Sequence, residues 1–184
     1  MTGKFLFAAA LAAIAAPAAA AVTVLGNSAA RLCYEAAEAR TVPTWDSLGR
    51  CDSALREDAL SDEDRTATYV NRGILRMRGG NVDAALQDYD RAIAADPQLA
   101  EAYLNKGLAL VRSAHDWDQA IAMFNTALEK RARRPAFAYY GRAIAYEAEG
   151  KLKEAYLDYR EASRLDPKWR EPQTELTRFS VVRR

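Results

Sequence analysis

Histidine and cysteine are nearly missing from this chain: 184 residues hold one His and two Cys. A zinc site needs about four converging ligands, and His115, Cys33 and Cys51 cannot supply them, so no metal and no other cofactor is expected. Catalytic signatures are missing too. There is no phosphate-cradling glycine loop, dinucleotide fingerprint, His-Glu-x-x-His pair or nucleophile elbow. His115, in a turn-forming stretch, has no acid–base partner in view and reads as a solvated turn residue. Neither an enzyme nor a small-molecule substrate is expected. An excess of charge of one sign is also lacking: 26 basic residues face 25 acidic ones, and with Lys4 set aside the two balance. Nucleic-acid binders carry a basic surplus that displaces phosphate counterions, so nucleic acid is excluded as a partner. What remains is half apolar and 28% charged, a composition that folds rather than staying disordered.

The amino-terminal stretch has a different character. Met1-Thr2-Gly3-Lys4 is a short positive lead, Phe5 to Ala16 is apolar, and Pro17 precedes Ala18-Ala19-Ala20-Ala21. Small residues at alternating places ahead of Val22 complete the layout of a secretory signal peptide. Residues 1–21 are therefore expected to be removed and the protein exported, to the periplasm, with no membrane association afterwards. The competing reading is a retained anchor, because apolar character continues through Leu25 and nearly reaches spanning length. No cysteine follows a lipoprotein-type cleavage box. In an oxidising compartment Cys33 and Cys51 are expected to form a structural disulfide. Closing so short a loop is worth about 3 kcal/mol by the chain-entropy argument. They lack the Cys-x-x-Cys spacing of a redox pair.

Internal repetition organises the rest. Gly73-Ile74-Leu75-Arg76, Gly80, Ala85, Tyr89, Ala92 and Pro97 recur at identical spacing as Ala143-Ile144-Ala145-Tyr146, Gly150, Ala155, Tyr159, Ala162 and Pro167. Between them lie Gly107, Leu110, Ala120, Phe124 and Ala127, with one extra residue in the turn near Ala114-His115-Asp116. The units are 66–99, 100–135 and 136–169, each about 34 residues long. Two antiparallel helices approach closely only where small side chains meet, so Gly73 or Ala143 is expected to face Ala85 or Ala155. The aromatics Tyr89, Phe124 and Tyr159 should fill the gap towards the following unit. Gly80 and Gly150 permit a tight turn, and Pro97 and Pro167 end the second helix.

This pattern resembles the tetratricopeptide repeat family over residues 66–169. The resemblance implies an all-α, right-handed α-solenoid of helix-turn-helix repeats whose concave face binds peptides or partner domains. Two departures stand out: Arg76 occupies a place where an aromatic is usual, and the second unit carries Lys130-Arg131-Ala132-Arg133-Arg134 instead of a closing proline. That basic run, with Arg183-Arg184, reads as solvated loop and not as a lipid-headgroup site. Residues 22–65 are expected to form a degenerate helix pair, Ser28 to Arg40 and Thr44 to about Arg56. Its Cys51 stands in the slot of Tyr89, so the disulfide would tie the pair together. Residues 170–184 should supply a capping helix from Glu171 to about Val182, with Leu176, Phe179 and Val182 on the covering side.

The first helix of each unit would line the inner curve, and its non-core positions are the binding candidates. These are Val70, Asn71, Ile74, Met77 and Arg78, then Leu104, Asn105, Leu108, Val111 and Arg112, then Tyr140, Ile144 and Glu147. Asn71 and Asn105 recur at one place, where a carboxamide could grip an extended backbone. Arg78 and Arg112 also recur and could attract a carboxylate. The family's carboxylate clamp for chaperone tails needs Lys and Asn where Val70 and Ile74 stand, so that ligand is not expected. The partner is expected to be another protein, or an extended or amphipathic peptide. A scaffold or adaptor function outside the cytoplasm follows. A chaperone for an exported or envelope client and a self-assembling structural solenoid remain the alternatives.

Overall fold

Side chains at the helix starts set where the elements begin. Thr44 Oγ1 accepts from the Ser47 amide, Ser61 Oγ from Asp64, Asn81 Oδ1 from Ala84, and Asp116 Oδ1 from Gln119. Each satisfies an amide that the first turn would leave unpaired. The computed structural model describes residues 20–24, 29–39, 43–57, 59–114 and 116–179; His115 and Val182 lie outside them. Among the described residues all regular structure is helical: α1 (Ala29–Glu38), α2 (Trp45–Glu57), α3 (Asp62–Arg78), α4 (Val82–Ala95), α5 (Ala100–Ser113), α6 (Trp117–Glu129), α7 (Pro135–Ala148), α8 (Leu152–Leu165) and α9 (Arg170–Leu176).

Each helix packs on the next, and α1, α3, α5 and α7 also pack on one another in that order. First helices thus form one continuous face and second helices the other, an α-solenoid. α1 stands beside α3 as α3 stands beside α5. The Cys33–Cys51 disulfide joins α1 to α2 across a separation of 18 residues. Both cysteines are fully buried, in one cluster with Val70, Ile74 and Tyr89.

The turn inside each repeat requires a left-handed residue. Gly80 has φ 84° and Gly150 φ 74°, and Ala114, at the matching place of the second repeat, adopts φ 53°. The geometry persists there at a cost of about 1 kcal/mol for the Cβ. After α6, the missing proline is replaced by a turn through Arg131 (φ 61°), and Pro135 opens α7 instead. Proline suits that first position because it has no amide to satisfy.

Close approach between helices rests on glycine against an aromatic ring, not on the small-on-small contact expected of Gly73. A Cβ at Gly73 would lie 2.5 Å from Tyr89 Cε1. Phe124 is held on two sides: a Cβ at Gly107, in its own repeat, would come within 2.7 Å of the ring, and one at Gly141, in the next, within 2.3 Å. The ring therefore fixes the spacing between consecutive pairs.

The last repeat is closed by Trp169 and Phe179. Trp169 lies 4.6 Å from Phe137 and 4.7 Å from Tyr140, ring centre to ring centre. Phe179 lies 5.8 Å from Tyr156 and 5.9 Å from Tyr159. The capping helix α9 is shorter than expected. Thr177 Oγ1 donates to the Thr174 carbonyl, and the amides of residues 177–179 bond three residues back. A hydroxyl competing for a helix carbonyl ends the α-turn in this tighter form.

Gly141→Ala is expected to lower unfolding stability by about 1–3 kcal/mol, the typical penalty of overpacking. Urea unfolding followed by helical circular dichroism measures it.

Candidate functional site

Helices α3, α5 and α7 bring the expected binding positions onto one face, but most of them are not open. Val70, Asn71, Ile74, Leu104 and Asn105 are fully buried, and Met77, Val111 and Tyr140 nearly so. Their assignment as non-core positions is thereby corrected. Val70 and Ile74 cluster with Cys33 and Ala37 of α1 and with Ala21, and Leu104 clusters with Ala20. The amino-terminal helix and the extended residues 20–24 thus lie over this face. Leu108, Ile144 and Glu147 are half-buried, and Arg112 is exposed.

The two arginines that recur in sequence do different things. Arg78 Nη1 donates to the Ala39 carbonyl at 2.6 Å, just past the end of α1, where a cation meets the negative pole of the helix. Arg112, one repeat on, is exposed. Glu147 accepts from the Tyr159 hydroxyl at 3.0 Å and pairs with Arg178 of the carboxy-terminal turn. Burial first, then the negative charges of Glu175 and Glu171, push the Tyr140 hydroxyl up to about 12, so it stays a neutral donor across the physiological range.

Asn71 and Asn105 both meet the main chain of residues 20–22. The Val22 amide donates to Asn71 Oδ1 at 2.9 Å, and Asn71 Nδ2 donates to the Val22 carbonyl at 2.8 Å. One carboxamide thus satisfies both main-chain groups of one residue, the pairing that a neighbouring β-strand would offer. Asn105 Nδ2 reaches the Ala20 carbonyl at 3.5 Å, while its Oδ1 is buried with no hydrogen-bond partner among the described residues. Ala20, Ala21 and Val24 are almost wholly enclosed. Val22 and Thr23 edge a shallow cleft with Glu63, Thr66, Asp96, Leu99 and Arg133. Both asparagines hold the sixth place of their units, and Gly141 holds it in the third, so the ladder has two rungs.

Beneath this face lies an ionic layer that sequence reading missed. Arg72 donates to both Asp88 carboxylate oxygens, at 2.9 and 2.7 Å, and to Asp52 at 2.7 Å. Arg76 adds a contact to Asp88 at 2.8 Å; the departure from an aromatic serves this network. Burial opposes the Arg72 charge, but hydrogen bonds and attraction from Asp88 and Asp52 outweigh it and raise its pKa. In the third repeat Arg142 holds Asp158 in the same fork, at 2.7 and 2.9 Å. The signal was present in the sequence: Arg and Asp stand sixteen residues apart in both units. The basic run is largely engaged by its neighbours. Lys130 donates to Gln98 and lies over the Tyr103 ring, the Arg133 amide donates to Glu101, and Arg134 lies over Phe137.

Among the described residues no group of three or more metal-capable side chains converges, and no helix is long and apolar enough to cross a membrane. Comparison with known proteins fits the geometry. The family description "TPR repeat" matches residues 73–114 and "Tetratricopeptide repeat" matches residues 136–169. This is a tetratricopeptide-repeat (TPR) protein. A curated relative is the "Lipoprotein NlpI homolog" of Haemophilus influenzae (strain ATCC 51907 / DSM 11121 / KW20 / Rd), 26% identical over 121 residues. That match spans 64% of this chain and 38% of the relative's length. Among solved structures, the first TPR of Spaghetti (RPAP3) bound to the HSP90 peptide SRMEEVD is 27% identical, with a TM-score of 0.58. The alignment covers 61% of this chain and 88% of that one. The Arabidopsis OM64 TPR domain shares the fold at 23% identity and a TM-score of 0.60, over 64% and 96% of the two chains.

Asp88→Ala strands Arg72 and Arg76 in this TPR core and should cost about 3–5 kcal/mol. The pair Arg72→Met with Asp88→Leu should recover most of that loss. Chemical denaturation of the single and double variants checks both statements.

Proposed function

We propose that this TPR protein is a non-catalytic adaptor that holds an extended segment of a partner protein along its first-helix face, outside the cytoplasm. The observation that carries this reading is the paired hydrogen bonding of Asn71 to a peptide backbone lying on that face. A carboxamide so placed recognises main chain, while apolar side chains around it select what the main chain carries. Val70 and Ile74 are apolar and fully buried, which leaves no carboxylate clamp and favours an uncharged segment over an acidic tail. The peptide-bound TPR neighbour supports a peptide as ligand. The lipoprotein name of the curated relative, together with the leader-like residues 1–21, supports a site of action in the periplasm.

A photo-crosslinking residue placed at Leu108, half-buried beside the groove, tests the reading against one at Glu154 on the outer helix α8. In envelope extract the first should capture one defined partner that the second does not. Capture from Glu154 alone would move the binding surface to the outer face and refute the proposal.

A further inference from the structure

We propose that residues 20–24 are a built-in occupant of the groove, and that its ligand is another extended segment with small side chains that must displace them. This rests on the reading that the first-helix face is where the partner binds.

Three observations support it. First, the bonds between Asn71 and Val22 involve only main-chain atoms of the segment, so nothing in that contact is private to this stretch of sequence. Any extended backbone that reaches the same place can make it. Second, Ala20 and Ala21 are 6% and 7% exposed and packed into the apolar clusters of the second and first repeats. Space of that size admits alanine-like side chains and turns away large ones, which gives the site a steric filter. Third, the fit is incomplete. Val22 makes a full pair with Asn71, but Ala20 gives Asn105 one contact at 3.5 Å, and the fully buried Asn105 Oδ1 faces no donor among the described residues. An unpaired buried carbonyl oxygen carries a standing penalty. A ligand whose amide reaches Asn105 while its neighbour two residues on reaches Asn71 removes that penalty. Alternate residues of a strand point the same way, so one strand can serve both rungs, running from the second repeat towards the first as residues 20–22 do.

The tether makes the occupant a regulator of affinity. A segment covalently joined to its own groove competes at high effective concentration, and the apparent affinity for any ligand falls by the fraction of grooves left free. Loss of residues 1–21, expected of a leader, would remove Ala20 from Asn105 and Ala21 from the first-repeat cluster, and leave Val22 on Asn71. The Asn105 rung is then the one a ligand fills first.

Val22→Pro tests the inference because proline has no amide for Asn71 Oδ1 to accept, and the change lies in an extended segment outside every helix. The probe is a fluorescent Ala-Ala-Val-Thr-Val peptide with blocked ends, titrated by anisotropy into the isolated full chain. The Val22→Pro chain should bind it at least about tenfold more tightly than the parent. Adding Asn105→Ala to that variant should reverse most of the gain. A peptide with proline at its centre, Ala-Ala-Pro-Thr-Val, should not bind either chain, which checks the carboxamide pairing without altering the protein. Equal affinity for parent and Val22→Pro would overturn the built-in occupant, yet leave the concave-face reading standing. Failure of the Val22→Pro chain to bind the alanine-rich peptide would overturn the ligand chemistry proposed here, whereas the crosslink at Leu108 separately decides whether the face binds a partner.

Discussion

A single ring seated between two glycines sets the geometry on which the rest depends. Phe124 fills the space left by Gly107 and Gly141, so the second and third repeats are held at the separation its thickness allows. An isolated helix pair cannot bury its apolar stripe, and stacking supplies the missing cover. Once the stacking distance is fixed, the first helices lie side by side and residues at the same place in successive units fall into line. Asn71 and Asn105 become rungs of a ladder for this reason, and Gly141, at the third such place, is committed to packing against the ring.

Charge is used below this surface to hold the pairs, not to attract a ligand. Arg72 and Arg142 each tie a first helix to its second through a forked contact with an aspartate, and Arg72 extends the tie to Asp52 in α2. Such pairs offset their desolvation through forked, charge-assisted hydrogen bonds. The amino-terminal pair is thus secured to the first repeat by ions as well as by packing, and within itself by the disulfide. Where residues 20–22 lie, the face is lined by buried apolar side chains such as Val70, Ile74 and Leu104, which suits a backbone-reading site.

The fold was legible because the physics of helix stacking leaves a spaced imprint: small residue, turn glycine, aromatic, small residue, proline. The helix starts at Trp45 and Asp62 were legible too, since Thr44 and Ser61 are side-chain acceptors in the required place. The Cys33–Cys51 bond followed from there being two cysteines. Within the candidate site, Asn71 and Asn105 stood out as repeated polar residues on an apolar face. Their ligand did not. Val22 lies 49 residues from Asn71, and Ala20 lies 85 from Asn105, and local periodicity carries no information about such contacts. The same segment reads locally as the small-residue end of a leader. Burial of Val70, Ile74 and Tyr140 was missed for a related reason, because helical spacing shows which residues share a face but not what covers it. Arg78 shows this most directly: its recurrence with Arg112 suggested a common ligand, and it is drawn to the end of α1 instead.

The central claim is that the two carboxamides of the first-helix face hold an extended backbone, at present the protein's own. Nuclear Overhauser contacts of the Asn71 side-chain amide protons in the isolated protein test this most directly. The account predicts cross-peaks from those protons to Val22, with Val22 shifted away from free-chain values. Cross-peaks confined to α1 and α3, with Val22 at the shifts of an unstructured chain, would contradict it.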